Sequence, residues 1–295
     1  MPANETRNLL IKRSLHWIGA GLGIGGILFV IQRLLNALEK IGSERLLLIP
    51  GAGFFLLVAV YAVSNILLVL AWREVLLFSG ETRIKRTQAM EIYALSQLAK
   101  YLPGNIFHLA GRQALGIAAG FSGKALMKSI LGELVLISFV AIFFAFLVLP
   151  ALPFEICSML AFSLFCFSLF VILLLGGAFL KARMVKAFLL QFVFLAISGF
   201  IFYRCLALFG ADISSANILP VIGAYVIAWL IGLLTPGAPA GLGVREAVLL
   251  FFLSGRIDES PLLLATILAR IVSISGDVLF YAVAMLWSNL ARRKS

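Results

Sequence analysis

Apolar residues run through this chain in long unbroken stretches, without the alternation of strands or the one-sided stripe of a soluble helix. A helix crosses the hydrocarbon core with about 20 such residues. Six segments meet that length, roughly 15–32, 46–72, 129–151, 156–180, 187–209 and 262–287. Two further stretches, about 88–120 and 217–252, are equally apolar but interrupted, the first by KYLPGNIFHLAGRQALG and the second by LLTPGAPAGLGVREAVLL. Proline and clustered glycine break a helix, and backbone freed at membrane depth must be buried in protein or line a wet cavity. The pattern predicts an all-α polytopic membrane protein: about six full spans plus two re-entrant broken-helix hairpins, in a single transmembrane domain over 1–295. The basic start MPANETRNLLIKRS leads into an apolar run from His16 that lacks a small-residue cleavage site, so it reads as an uncleaved first span.

Lysine and arginine give the orientation, because they collect in cytoplasmic loops. If both interrupted stretches leave on the side they entered, fifteen of the 24 basic residues fall on one side, in 1–14, 73–87, 121–128, 181–186 and 288–295. Only Arg33, Lys40, Arg45 and Arg256 fall on the other, and Lys100, Arg112, Arg204, Arg245 and Arg270 lie at membrane depth. Counting either hairpin as a full crossing spoils that split. Both termini are therefore expected in the cytoplasm.

The two interrupted stretches also resemble each other. Pro103-Gly104 is followed by Leu109, Arg112, Gln113 and Ala114, and Pro236-Gly237 by Leu242, Arg245, Glu246 and Ala247, all at an offset of 133. Segment 46–72 corresponds to 187–209, 129–151 to 262–287, and 15–32 to 156–180. In the orientation above each matched pair runs in opposite directions. The expectation is an inverted-topology repeat with halves of about 15–151 and 156–287, the plan of many secondary transporters, whose sites lie where broken helices meet near the midplane.

Composition and charge narrow the function. With 62% hydrophobic and 13% charged residues, the chain cannot be a soluble enzyme. The net charge of +11 follows from the loops and implies no nucleic-acid partner. Cys157, Cys166 and Cys205 sit in apolar segments without C-x-x-C spacing, so neither a disulfide framework nor a metal site is expected. No metal-ligand cluster, nucleophile elbow or Walker loop stands out, which favours a transporter without cofactors over an enzyme.

Arg112 and Arg245 are the sharpest candidates, since an arginine at the bilayer centre needs a partner or water. Each follows a Gly/Pro-rich break, where free N–H groups and the helix dipole favour an anion and a guanidinium adds a fork for phosphate or carboxylate. The substrate-binding candidates read from the residues are therefore Arg112, Arg245 and Lys100, the last either supplementing the positive pocket or snorkelling to the interface. Alternatively each arginine caps carbonyls of the other hairpin or pairs with Glu133 or Glu246. Glu133, expected in the first turn of the span starting at 129, suits either a structural pair with Arg112 or Lys100 or an ion-coupling role. Arg270 and Asp277, seven apart on one helix, share a face without touching, and each should reach another helix. Asp277 is a candidate for proton coupling, while His108 inside the first break suits packing or hydrogen bonding.

The segments SQLAKYLPGNIFHLAGRQ and TPGAPAGLGVREA resemble the two signatures of the lysylphosphatidylglycerol synthase transmembrane, or flippase-like, family, with Ala240 where the pattern usually has glycine. The resemblance covers nearly the whole chain and implies a stand-alone membrane member, without the soluble aminoacyl-lipid synthase domain of larger members. It implies a role in moving or handling lipids across the bacterial inner (cytoplasmic) membrane, with links to cell-envelope or polyprenyl-linked glycan pathways. By motif position it implies Pro103, Gly104, Arg112, Pro236, Gly237, Gly241, Gly243, Arg245 and Glu246 as substrate-binding residues. The leading expectation is a translocase for an anionic lipid head group, phospholipid or polyprenyl-phosphate-linked. The alternatives are a non-catalytic partner of envelope or glycan biosynthesis proteins, and a proton-coupled transporter of a small soluble anion.

Overall fold

The computed structural model describes residues 51–81, 84–102, 107–152, 156–179, 181–209, 218–235, 241 and 243–293. Among them all regular structure is helical. The helices are α1 (Gly51–Phe78), α2 (Arg86–Gln97, continued by a 3₁₀ turn Leu98–Tyr101), α3 (Phe107–Ala118), α4 (Gly123–Phe143), α5 (Ala145–Val148), α6 (Ser158–Phe179), α7 (Ala182–Leu208), α8 (Ile218–Leu234), α9 (Val244–Leu253) and α10 (Glu259–Arg293). Five stretches are long and apolar enough to cross a membrane: Gly51–Phe78, Gly123–Ala151, Ser158–Gly177, Ala182–Leu208 and Glu259–Leu290. The chain is a multi-pass membrane protein. These five coincide with five of the six segments expected from hydropathy; the sixth, 15–32, lies outside the described residues.

The starts and breaks have local causes. The fourth helix begins at Gly123, six residues before the apolar run expected at 129, because the Ser122 side chain caps it by accepting from the Ala125 N–H. Glu133 is consequently mid-helix rather than in the first turn. Phe144 then interrupts the span before α5, which ends in a 3₁₀ turn containing Pro150. Each stretch expected to be interrupted is a pair of helices, α2 and α3 in one case, α8 and α9 in the other, whose members pack against each other. Pro103, Gly104, Pro236 and Gly237 fall outside the described residues.

Helices α1 and α7 form the centre and run antiparallel. The Lys181 ammonium lies over the Phe78 ring, Lys186 meets Glu74, and Tyr61 meets Phe194, so advancing along one helix means retreating along the other. Around this pair the neighbours recur. Helix α2 packs on α1 and α10, just as α8 packs on α7 and α4–α5; α4 touches α1, α7 and α8, just as α10 touches α7, α1 and α2. Exchanging α1 with α7, α2 with α8 and α4 with α10 leaves these contacts unchanged. Small residues permit the close crossings. A Cβ on Gly276 of α10 would lie 2.7 Å from Tyr61 Cδ1, and one on Gly199 of α7 would lie 2.7 Å from Ile222 Cγ2 of α8. Helix α6 is peripheral and leaves Met159, Phe167 and Phe170 exposed, as suits a lipid-facing surface.

Candidate functional site

At the first break, α3 is clamped to α4 by charge. Arg112, only 2% exposed, pairs with Glu133 and donates to its Oε2. Its guanidinium lies 3.9 Å from the Tyr93 ring centroid and 5.3 Å from that of Trp72, which adds cation–π attraction where water is excluded. The Tyr93 hydroxyl donates to Glu133 Oε1 at 3.4 Å, and Trp72 Nε1 donates to Ser129 Oγ at 3.3 Å. The next residue, Gln113, donates from Nε2 to the Gly123 carbonyl at 3.1 Å, tying α3 to the start of α4. Arg112 is thus buried and already paired with Glu133, one of the two partners open to it from the sequence.

At the second break the clamp has the opposite polarity. The carboxylate is on α9 and the guanidinium on the following helix: Arg270 of α10 lies 2.9 Å from Glu246 Oε1 and donates to Oε2 at 3.0 Å. The same Nη2 also donates to the Gly241 carbonyl at 3.0 Å. Glu246, grouped by motif with the substrate-binding residues, is therefore engaged with Arg270. Gly241 and Gly243 both take positive φ, +71° and +78°, a region where side chains are strained. A Cβ on Gly241 would also lie 2.8 Å from Gly232 Cα and 2.9 Å from Arg245 Nε. The two glycines let the break close onto α8 with the arginine stem packed alongside.

Because Glu246 makes this clamp, Arg245 is left over. It is half-buried, its Nε is buried without a hydrogen-bond partner, and it has no carboxylate within ion-pair distance among the described residues. It lies in electrostatic range of Lys100 and Tyr101 from the first break, of Tyr61 on α1, and of Tyr225 on α8. The cation from the first break that shares a field with Arg245 is Lys100.

Lys100, expected to supplement a positive pocket, has a dedicated partner. Its Nζ is 2.6 Å from Asp277 Oδ2, with the lysine side chain 20% exposed and the aspartate fully buried. The Tyr101 hydroxyl donates to the same oxygen, and Asn65 Nδ2 donates to Oδ1 at 3.1 Å. Asp277 sits near the middle of the 35-residue α10 and Asn65 near the middle of the 28-residue α1. Helical spacing alone does not reveal Asn65, Tyr93, Tyr101 or Trp72 as members of these networks. The available signal was polar atoms in the middle of apolar helices, where a lipid-facing residue would have none. His108, in the first turn of α3, is buried with an unpartnered Nδ1 and feels the fields of Arg112 and Lys100.

The arrangement can neutralise an anion at the second break and supply it with hydrogen bonds. Compared with known proteins, the chain matches no family model and no curated sequence.

Proposed function

We propose that this protein is a lipid translocase that holds an anionic head group between two inverted halves and exposes it alternately to the two leaflets. Arg245 is the observation that carries the reading. Four cations, Lys100, Arg112, Arg245 and Arg270, lie at the two breaks, and among the described residues every one except Arg245 has a carboxylate against it. An uncompensated guanidinium at membrane depth costs at least about 2.5–3.5 kcal/mol, and an incoming anion removes that cost.

The recurring neighbours and the antiparallel α1–α7 pair support an inverted repeat of about 15–151 and 156–287. Short helices support re-entrant hairpins: α3 and α9, of 12 and 10 residues, rise about 18 and about 15 Å at 1.5 Å per residue, well short of a hydrocarbon core of about 30 Å. The distribution of lysine and arginine supports cytoplasmic termini, and the two signature-like segments support a lipid as cargo, a bacterial inner membrane and an envelope context.

The test is mass spectrometry of lipids that co-purify in mild detergent with the wild type and with Arg245→Gln. A stoichiometric anionic lipid is expected in the first preparation, reduced about tenfold or more in the second, equivalent to about 1.4 kcal/mol. Equal enrichment in both would overturn the role of Arg245. No enrichment together with binding of a soluble anion would replace the lipid carrier by a solute carrier. No enrichment with a co-purifying glycosyltransferase would replace it by a partner of a synthesis complex.

A further inference from the structure

The fixed charges at the breaks limit how much negative charge the site takes. Lys100 is set against Asp277, Arg112 against Glu133 and Arg270 against Glu246, so among the described residues these four cations and three carboxylates leave one positive charge, at Arg245. A charge buried away from water is tolerated when it is paired and is expensive when it is not. One negative charge on the cargo brings the loaded site to neutrality; a second would itself be unpaired at membrane depth.

We propose that the cargo head group is a monoanionic phosphodiester, and that a phosphomonoester is excluded while it carries two charges and admitted once a proton reduces it to one. The proposal rests on the translocase reading and names its substrate class.

The experiment uses the full chain in proteoliposomes and short-chain, acyl-labelled lipids followed by albumin back-extraction. The three probes are phosphatidylglycerol, a phosphodiester with net charge −1; phosphatidic acid, a phosphomonoester; and phosphatidylcholine, a net-neutral control. Because phosphomonoesters lose their second proton near about pH 6, rates are compared at pH 8.5 and pH 5. Phosphatidylglycerol is expected to move at both pH values. Phosphatidic acid is expected to move about tenfold more slowly than phosphatidylglycerol at pH 8.5 and within about twofold of it at pH 5, where its charge falls to one. Phosphatidic acid keeping pace with phosphatidylglycerol at pH 8.5 would overturn the proposal.

Two variants test the charge count from the protein side. Glu246→Gln and Asp277→Asn each raise the excess to two, and each is expected to increase the phosphatidic acid rate relative to phosphatidylglycerol at pH 8.5. Either folded variant is sufficient, so misfolding of one leaves the other decisive, and an unchanged ratio in a folded variant would overturn the proposal. Failure of the translocase reading has a different signature: phosphatidylglycerol moving no faster than in protein-free vesicles, or phosphatidylcholine moving as fast as phosphatidylglycerol.

Discussion

Arg112 and Arg245 occupy the same place in two copies of one motif, nine residues after a Pro-Gly pair, yet they live in opposite surroundings. Arg112 is sealed between two aromatic rings and a carboxylate, whereas Arg245 is half-buried with no carboxylate beside it. The difference follows from the next residue along. In the first half that residue is the neutral Gln113, so Arg112 itself bridges to α4; in the second it is Glu246, which bridges to α10 through Arg270 and leaves Arg245 free. The two halves solve one mechanical problem, fastening the second arm of a break to the helix that follows, with charges of reversed polarity. The change between glutamine and glutamate, together with Glu133 on α4 where α10 carries Arg270, leaves Arg112 paired and Arg245 without a carboxylate among the described residues.

Removing the carboxylate of the first clamp is expected to have the largest effect. Glu133→Leu strands a fully buried guanidinium and should lower stability by about 3–5 kcal/mol, whereas Arg112→Met/Glu133→Leu, with both charges gone, should recover most of it. Thermal unfolding in detergent reads both, and a double variant no better than the single would show that the pair is more than a fastening. Next comes the second clamp. Arg270→Met leaves the partly exposed Glu246 without its donor, a loss of about 1–3 kcal/mol, visible in the same melt as a smaller shift.

Arg245→Gln should not lower the melt and is expected to raise it, because it removes an unpaired cation that is expensive at membrane depth while no carboxylate among the described residues loses a partner. A large destabilisation would place Arg245 in the same structural class as Arg112 and erase the contrast. The smallest effect is expected for Lys186→Gln. This lysine pairs with Glu74 while 55% exposed, and such pairs contribute about 0–1 kcal/mol, a shift that added salt should reduce further.

Much of the scaffold could be read from hydropathy. Segment 46–72 became Gly51–Phe78, and 187–209 became Ala182–Leu208, because unbroken apolar runs of membrane length have few other ways to fold. The start of α4 was not legible in the same way: Lys124 and Lys128 look like loop residues, and the helix begins there only because Ser122 caps it. Partner choice was harder still. Glu246 neighbours Arg245 in sequence, but adjacent residues on a helix point in different directions, and the carboxylate goes to Arg270 instead. The networks around Asp277 and Glu133 recruit Asn65, Tyr93 and Tyr101 from distant helices. Their aromatic members look, one residue at a time, like ordinary lipid-facing side chains.

The ion pair between Lys100 and Asp277 also sets a schedule for biogenesis. Tyr101 and Asp277, whose side chains meet in the finished protein, are 176 residues apart in the chain. At ribosomal speeds of about 5–20 residues per second, the wait between making one and making the other is about 10–35 s. For that interval Lys100 must remain near the aqueous interface or within the insertion machinery, because its counter-charge has not yet been synthesised. The Lys100–Asp277 pair at the first break therefore cannot form until α10 arrives, and insertion of that helix is the event that fixes the first break in place.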